Sequence, residues 1–392
     1  MIRRLVIDQL RERLTRYPAV AMIGPRQSGK TTLAKSLGGV YFDLEQHSER
    51  LRLDLDWDRI TAGKDLIVLD EVQSWPDVFA RLRGAIDLDR ARMGRFLLLG
   101  SVSPALMIHV SESLAGRLSL VELTPFLLSE LSTNASRERR WLCGGYPDGG
   151  VLEPARYPRW QMDYLSLLSQ RDLPTWGLPA KPQTTDRLLR MLAALHGQIW
   201  NASQVGQSLG LSYHTVNGYL EYLTGAFLIR RLPSYHANIR KRLIKSPKVY
   251  WRDCGLLHAL LNVPDGRALL TQPWVGASWE GFVIEQVLGE LSARGRQADA
   301  YYFRTSDQYE LDLVLDFGNE LWAVEVKLTS TPTIEDMTRL DRTADMIRAS
   351  HRFLVSQTGR SSGDERRVSC NLPTFLQYVQ RNTSRKMRTR SH

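Results

Sequence analysis

The sequence predicts an α/β protein built in more than one unit: a parallel sheet wrapped by helices at the N-terminus, a helical middle, and a second α/β region toward the C-terminus. Three observations predict it. Over residues 1 to about 130, short aliphatic runs alternate with helical stretches, the pattern of strands connected through covering helices. From Ser132 to Leu195 the chain reads as helical and tryptophan-containing, broken by "GGYP" at Gly144–Pro147 and by Pro174, Pro179 and Pro182. Residues 275–380 return to mixed helix and strand, and 392 residues exceed a comfortable single core.

The elements follow in order. Five N-terminal strands are expected at Ala19–Ile23, Val40–Leu44, Leu66–Leu69, Phe96–Leu99 and Leu118–Leu123; their unbroken apolar character suits strands covered on both faces. This first unit ends at residue 131, and a helical connector spans 132–195. Within 196–262 the sequence offers a helix over Ser203–Leu209, a turn at Gly210, a helix from Tyr213 to Leu223 and the strand "FLIRRL", the order of a winged helix. Residues 263–380 form the C-terminal α/β unit and 381–392 a basic tail. There is no internal repeat.

Composition sets limits on function. No apolar run approaches the roughly 20 residues of a membrane-spanning helix, and "MIRRLVIDQLRERL" is charged where a signal peptide is apolar. The expectation is a cytoplasmic protein without a membrane partner. Cys143, Cys254 and Cys370 are far apart and odd in number, so they read as buried reduced thiols and not as a disulfide framework. The net charge of +10 invites an acidic partner such as nucleic acid. Five of those charges, Arg381, Arg385, Lys386, Arg388 and Arg390, lie in the tail, which reads as a disordered arm.

The strongest motif is "GPRQSGKTT", with a strand before it and a helix after it. Its residues Gly24, Pro25, Arg26, Gln27, Ser28, Gly29, Lys30, Thr31 and Thr32 form a phosphate cradle: Gly24 and Gly29 let the backbone curl its amides inward. Lys30 reaches the β- and γ-phosphates of ATP, and the Thr31 hydroxyl takes Mg²⁺. The partner motif "LIVLDE" delivers Asp70 and Glu71 to the carboxyl end of a buried strand, where ligands of open α/β sheets bind. Asp70 holds Mg²⁺ through its second shell and Glu71 orients the attacking water. In "RFLLLGSVSP", Ser101 and Ser103 either touch the γ-phosphate or form a turn. Arg117 in "ESLAGRLS" either approaches the γ-phosphate, in cis or from a neighbouring copy in a homo-oligomer, or forms a structural ion pair.

In the helical middle, a DNA-reading winged helix would set Ser212, Tyr213, His214 and Asn217 in a groove and Arg230, Arg231, Arg240, Lys241 and Arg242 on phosphates. The helix after Gly210 carries no Arg or Lys before Leu223, which points to non-specific backbone contact with DNA and not to base reading. A spacer or protein-contact role is the other reading.

Toward the C-terminus, Gly318-Asn319 suits a two-residue hairpin turn. That turn sets Asp312 opposite Glu325 and Glu310 opposite Lys327 on one face, with Leu311, Leu313, Leu315 and Phe317 facing Trp322, Val324 and Val326 on the other. Opposed like charges cost up to about 1 kcal/mol when exposed, and a divalent cation removes that cost. An ordinary solvated polar face is the alternative. Asp312 followed by Glu325-x-Lys327 resembles the PD-(D/E)xK nuclease site, which implies Mg²⁺ on Asp312 and Glu325, Lys327 as the catalytic lysine, and Glu280 as a further metal ligand from the preceding helix. "EL" stands where that motif has "PD".

"GPRQSGKTTL", "LIVLDEVQ", "FLLLGSVS" and "SLAGRLSLVELTPF", with "CGGYP", "RDLP" and "KVYWRDCGL", resemble a family of prokaryotic AAA-type ATPases that end in a restriction-endonuclease-like domain. The resemblance covers almost the whole chain. It implies an ATP- and Mg²⁺-dependent module that governs a DNA-directed, nuclease-like domain; the competing class is a signalling or scaffold switch whose C-terminal half docks a protein.

Overall fold

The computed structural model describes residues 2–101, 114–236 and 244–388, the last seven by their backbone alone. The N-terminal sheet is parallel, with strand order β2-β3-β4-β1-β5: β1 (Ala19–Gly24), β2 (Val40–Asp43), β3 (Ile67–Asp70), β4 (Phe96–Ser101) and β5 (Leu118–Glu122). Successive residues of each strand enter opposite cores, which explains the unbroken apolar runs. Ala19, Ala21, Ile67, Leu69, Phe96 and Leu98 pack with α3 (His47–Ala62) and α4 (Val78–Leu88). Val20, Met22, Val68, Leu97 and Leu99 pack with α1 (Val6–Arg16) and α2 (Lys30–Lys35). β4 runs two residues past its expected end because Ser101 still pairs with Gly24.

The middle is helical: α5 (Asn134–Cys143), α6 (Arg159–Leu167), α7 (Pro182–Ala194), α8 (Ala202–Leu209), α9 (Tyr213–Gly225) and α10 (Cys254–Leu260), with a three-stranded sheet ordered β6 (Gln198–Ile199), β8 (Lys248–Trp251), β7 (Ile229–Leu232). Asn201 caps α8 through Gln204 N–H and Ser212 caps α9 through Thr215 N–H. Between them Gly210 takes φ 68°, a left-handed turn that favours glycine. One apolar core containing Leu165, Leu168, Leu188, Leu189, Val205, Val216, Leu220, Trp251 and Leu257 joins α6 to α10.

After α11 (Gly266–Leu270) and α12 (Val275–Ala293), a mixed sheet has the order β13-β14-β12-β11-β10-β9. Its strands are β9 (Asp299–Arg304), β10 (Glu310–Asp316), β11 (Leu321–Val326), β12 (His351–Ser356), β13 (Ser362–Gly363) and β14 (Arg367–Asn371). α12 and α14 (Leu372–Arg388) cover one face, and α13 (Ile334–Met346) covers the other. α12 is buried around most of its circumference, including Glu285 and Glu290, because N-terminal residues also dock on it: Leu128 N–H donates to Gln286 and the Ser129 hydroxyl to Glu290.

Two expectations change. The tail was expected to be disordered from residue 381, but α14 continues to Arg388, through a stretch free of Gly and Pro. The hairpin lacks a single polar face. Its pairs Leu313–Val324 and Leu315–Trp322 match the expected register, yet the β9 pairing shifts between Leu311 and Val314. Leu311 therefore joins Val314 and Ala323 in the core under α13, away from Leu313 and Leu315. The three cysteines are free and buried, and burial pushes the Cys254 and Cys370 thiols up to about 12. Among the described residues, no helix is long and apolar enough to cross a membrane.

Candidate functional site

The phosphate loop joins β1 to α2, with Gly29 at φ 97° immediately before the helix and Gln27 at φ 61°. Two departures into positive φ, separated by one residue, let amides turn toward one concavity. Gly24 is required for a different reason from the one the sequence suggested. A Cβ there would lie 2.2 Å from the Leu123 carbonyl oxygen, so glycine permits the loop and the end of β5 to touch. The Lys30 ammonium donates to the carbonyls of Gly24 (3.0 Å) and Pro25 (2.9 Å). Burial, partly offset by Glu71 and Asp70, brings it down to about 8.

Asp70 ends β3 beside the loop. Its Oδ2 accepts from the Thr31 hydroxyl and from the Tyr41 hydroxyl, both at 2.7 Å, and its Oδ1 accepts from Glu71 N–H at 2.9 Å. Glu71 sits at φ 49°, an uncommon conformation for a non-glycine residue that favours functional positions. Burial raises its pKa, against a Gln73 hydrogen bond and the Lys30 charge. Among the described residues, the buried hydroxyls of Ser28 and Ser101 have no hydrogen-bond partner. Two spare hydroxyls, a lysine parked on carbonyls and a Thr–Asp pair are a donor set that could hold a triphosphate with Mg²⁺, Lys30 on phosphate and Thr31 and Asp70 toward the metal. Thr32 is exposed and Pro25 buried.

Two contributors escaped the sequence reading, Asp172 and Arg4. Arg26 reaches Asp172 in the middle unit, Nη1 to Oδ1 at 2.6 Å, and the Tyr164 hydroxyl donates to the Arg26 carbonyl at 3.2 Å. Arg4, buried against Glu130 at 3.1 Å, donates to the Ser28 carbonyl at 3.0 Å and braces the loop from behind. Neither has a local motif; both reach the loop across long chain separations.

Arg117 is a correction. It precedes β5, whose first residue Leu118 pairs with Ala19, the first residue of β1, while the phosphate loop follows the last. Five strand steps, roughly 16 Å, separate the two ends. Arg117 forms a two-pronged ion pair with Asp87 (2.8 and 3.0 Å), so the structural reading holds within one chain. Ser103 lies outside the described residues.

The C-terminal residues lie near one another. Asp312 Oδ2 accepts Val326 N–H at 2.8 Å, and Lys327 lies 2.7 Å from Glu325. Burial, then Glu280 and Glu325, hold the Asp312 carboxyl well above the usual carboxylate range; burial also raises Glu325 against the pull of Lys327. Two expectations are corrected here. Glu310 pairs with Lys248 (2.6 Å) and Arg304 (3.4 Å) in place of Lys327. Glu280, expected beside a metal, accepts from Lys248 (3.0 Å) and from the Tyr250 hydroxyl. Among the described residues, no group of three or more His, Cys, Asp or Glu side chains is arranged to hold a metal ion.

Much of the expected DNA-facing set is engaged within the protein. Ser212 is a helix cap, Asn217 accepts from the Trp200 indole at 2.9 Å, Arg230 pairs with Glu285 at 3.0 Å and Arg231 approaches Glu221 at 3.7 Å. Arg240, Lys241 and Arg242 lie outside the described residues. Arg252 pairs with both Glu285 (3.2 Å) and Glu122 of β5, so all three units meet around it. A cleft of about 750 Å³ opens there, but its Arg230 and Arg252 are committed to these carboxylates.

Three stretches of the chain match known family models. Residues 16–132 match the model of an AAA domain, and residues 134–267 and 275–375 match two domains of unknown function, DUF8612 and DUF4143. The uncharacterized protein Rv2008c of Mycobacterium tuberculosis is 39% identical over 369 residues, covering 91% of this chain and 82% of that protein; Mb2031c of Mycobacterium bovis gives the same figures. Among solved structures, the Walker-type ATPase PABY2304 of Pyrococcus abyssi is 16% identical with a TM-score of 0.48, over 65% of this chain and 94% of that one. DnaA from Aquifex aeolicus bound to AMPPCP is 12% identical with a TM-score of 0.26, over 56% and 86%.

Proposed function

The chain belongs to the same family as mycobacterial Rv2008c and Mb2031c and carries an AAA domain, and from that premise we propose that it binds and hydrolyses ATP with Mg²⁺ and passes its nucleotide state to the C-terminal unit. The observation that carries this reading is the Thr31–Asp70 hydrogen bond beside Lys30 and Glu71. Mg²⁺, held by Thr31 and Asp70, supplies charge neutralisation at the phosphates. Lys30 exchanges the Gly24 and Pro25 carbonyls for phosphate oxygens, which costs little because its burial already disfavours the ammonium where it sits. Glu71 orients the attacking water and accepts its proton, a role suited to a carboxylate whose basicity is raised by burial. Mg²⁺-dependent ATP turnover should vanish in Lys30→Ala and fall about 10²- to 10⁴-fold in Glu71→Gln. Variants as fast as the parent would remove the reading.

A second reading makes the C-terminal unit a DNA-directed, Mg²⁺-dependent nuclease. Its support is the juxtaposition of Asp312, Glu325 and Lys327. Plasmid cutting with Mg²⁺ or Mn²⁺ that Asp312→Ala and Lys327→Ala each abolish is the expected result; cutting that survives both, or none, counts against it. A switch that docks a protein partner without cutting DNA draws on the engaged Asn217 and Arg230 and on the three-unit junction at Arg252.

A further inference from the structure

We propose that Lys248 is the resident cation of the C-terminal carboxylate cluster, inserted from the middle unit as a plug that closes those carboxylates to divalent ions. While Lys248 is in place the cluster should not cut DNA with divalent ions, so the nuclease reading above requires its withdrawal. Lys248 opens β8 and is almost completely buried, its Nζ 3.0 Å from Glu280 Oε1 and 2.6 Å from Glu310. Glu280 belongs to α12 and Glu310 to β10, so one ammonium bridges the helix and the strand that bring the acids together.

A buried ammonium is costly unless it is hydrogen-bonded or paired with carboxylates. Burial opposes the Lys248 charge, yet Glu280, Asp312 and Glu310 outweigh it and keep the ammonium firmly protonated. Tyr250, two residues on and therefore on the same side of β8, donates its hydroxyl to the same Glu280 oxygen. Glu280, Glu310 and Glu325 each have a cation in contact: Lys248 for the first two, Lys327 for the third. The remaining acid, Asp312, holds the Val326 amide. The cluster's charge is thus answered from within the protein. Withdrawing Lys248 would leave Glu280 and Asp312 with a vacancy suited to a hard divalent cation.

The plug has a mechanical route to the nucleotide domain. β8 ends at Trp251, and the next residue, Arg252, is ion-paired to Glu122 of β5. Leu123, next after Glu122, presses its carbonyl toward Gly24 of the phosphate loop. About four strand steps, roughly 13 Å, separate Lys248 from Arg252.

Mn²⁺ binding to nucleotide-free full-length protein, read by electron paramagnetic resonance, tests the plug. Any Mn²⁺ at Thr31 and Asp70 is common to every variant and subtracts out, so failure of the ATPase reading leaves the result intact. The expected result is equal Mn²⁺ uptake by the parent and Asp312→Asn, one additional Mn²⁺ per chain in Lys248→Met, and loss of that ion in Lys248→Met with Asp312→Asn. Parent protein whose Mn²⁺ uptake falls on Asp312→Asn overturns the proposal, and this comparison stands even if Lys248→Met fails to fold. Folded Lys248→Met without the additional ion overturns it too.

Discussion

Arg26 of the phosphate loop is ion-paired to Asp172, a buried carboxylate of the middle unit, at 2.6 Å. The Arg171 guanidinium approaches the same oxygen at 3.0 Å, and the Arg26 carbonyl takes the Tyr164 hydroxyl. The loop is therefore held in shape from outside the sheet that carries it. Preorganising a loop spares binding energy that would otherwise order it. Asp172→Asn, which keeps the shape and removes the charge, is expected to weaken Mg·ATP binding by about tenfold, or roughly 1.4 kcal/mol. Titration with a fluorescent ATP analogue checks it, and an affinity within about twofold of the parent argues that the pair has no part in binding.

Arg117 leads to the opposite expectation. Its guanidinium is satisfied by Asp87 of α4, at the end of the strands remote from the loop. Arg117→Ala should leave ATP turnover per chain within about twofold at all protein concentrations; a loss on the scale of an arginine finger, about 10³-fold or more, would require delivery to a neighbouring copy.

Acid sensitivity follows from two buried histidines. Burial lowers His196 to about 3 and His258 to about 4; the unfolded chain titrates near pH 6.5. Below pH 6.5 the unfolded state binds more protons than the folded one, so each histidine removes about 1.4 kcal/mol of stability per pH unit until its folded value is reached. The His196 ring accepts Trp251 N–H at 3.0 Å, and His258 lies between the Leu142 carbonyl and the Ser278 hydroxyl. Urea midpoints should fall steadily from pH 6.5 to pH 4.5. A flat profile across that interval would contradict the neutral, buried assignment.

Gly255 explains why "CGGYP" and "WRDCGL" occur in one chain. A Cβ on Gly255 would sit 2.1 Å from the Cys143 carbonyl oxygen and 2.7 Å from Gly144 N, backbone atoms that cannot swing aside. The adjoining Asp253 carboxylate accepts Gly145 N–H at 2.7 Å. Gly255→Ala should cost roughly 3 kcal/mol, whereas Gly266→Ala, with nothing near its Cβ, should be tolerated. Equal melting temperatures for the two variants would show that the close approach does not matter.

The candidate nucleotide site is legible in the sequence because its parts are local. The loop is a contiguous run with its strand and helix attached, and Asp70 follows an aliphatic run that has to be a buried strand. The hairpin register was legible too, since a two-residue turn leaves one pairing that buries Leu313, Leu315, Trp322 and Val324 together. The bulge that turned Leu311 to the other core was not, because it depends on how β9 pairs from outside the hairpin.

Local chain order was enough to tell which residues stand next to one another along a strand or turn: Lys30 with Thr31, Asp70 with Glu71, Leu313 across from Val324. Which charges answer the polar ones was set by the packing of the folded chain. Asp172 reaches Arg26 over 146 residues, Lys248 reaches Glu280 over 32, and Arg117 is carried to the wrong end of the sheet by the parallel pairing of β5 with β1. The physical reason is that backbone periodicity is set within a few residues, whereas a buried charge takes whichever counter-charge the packed units bring within about 3 Å.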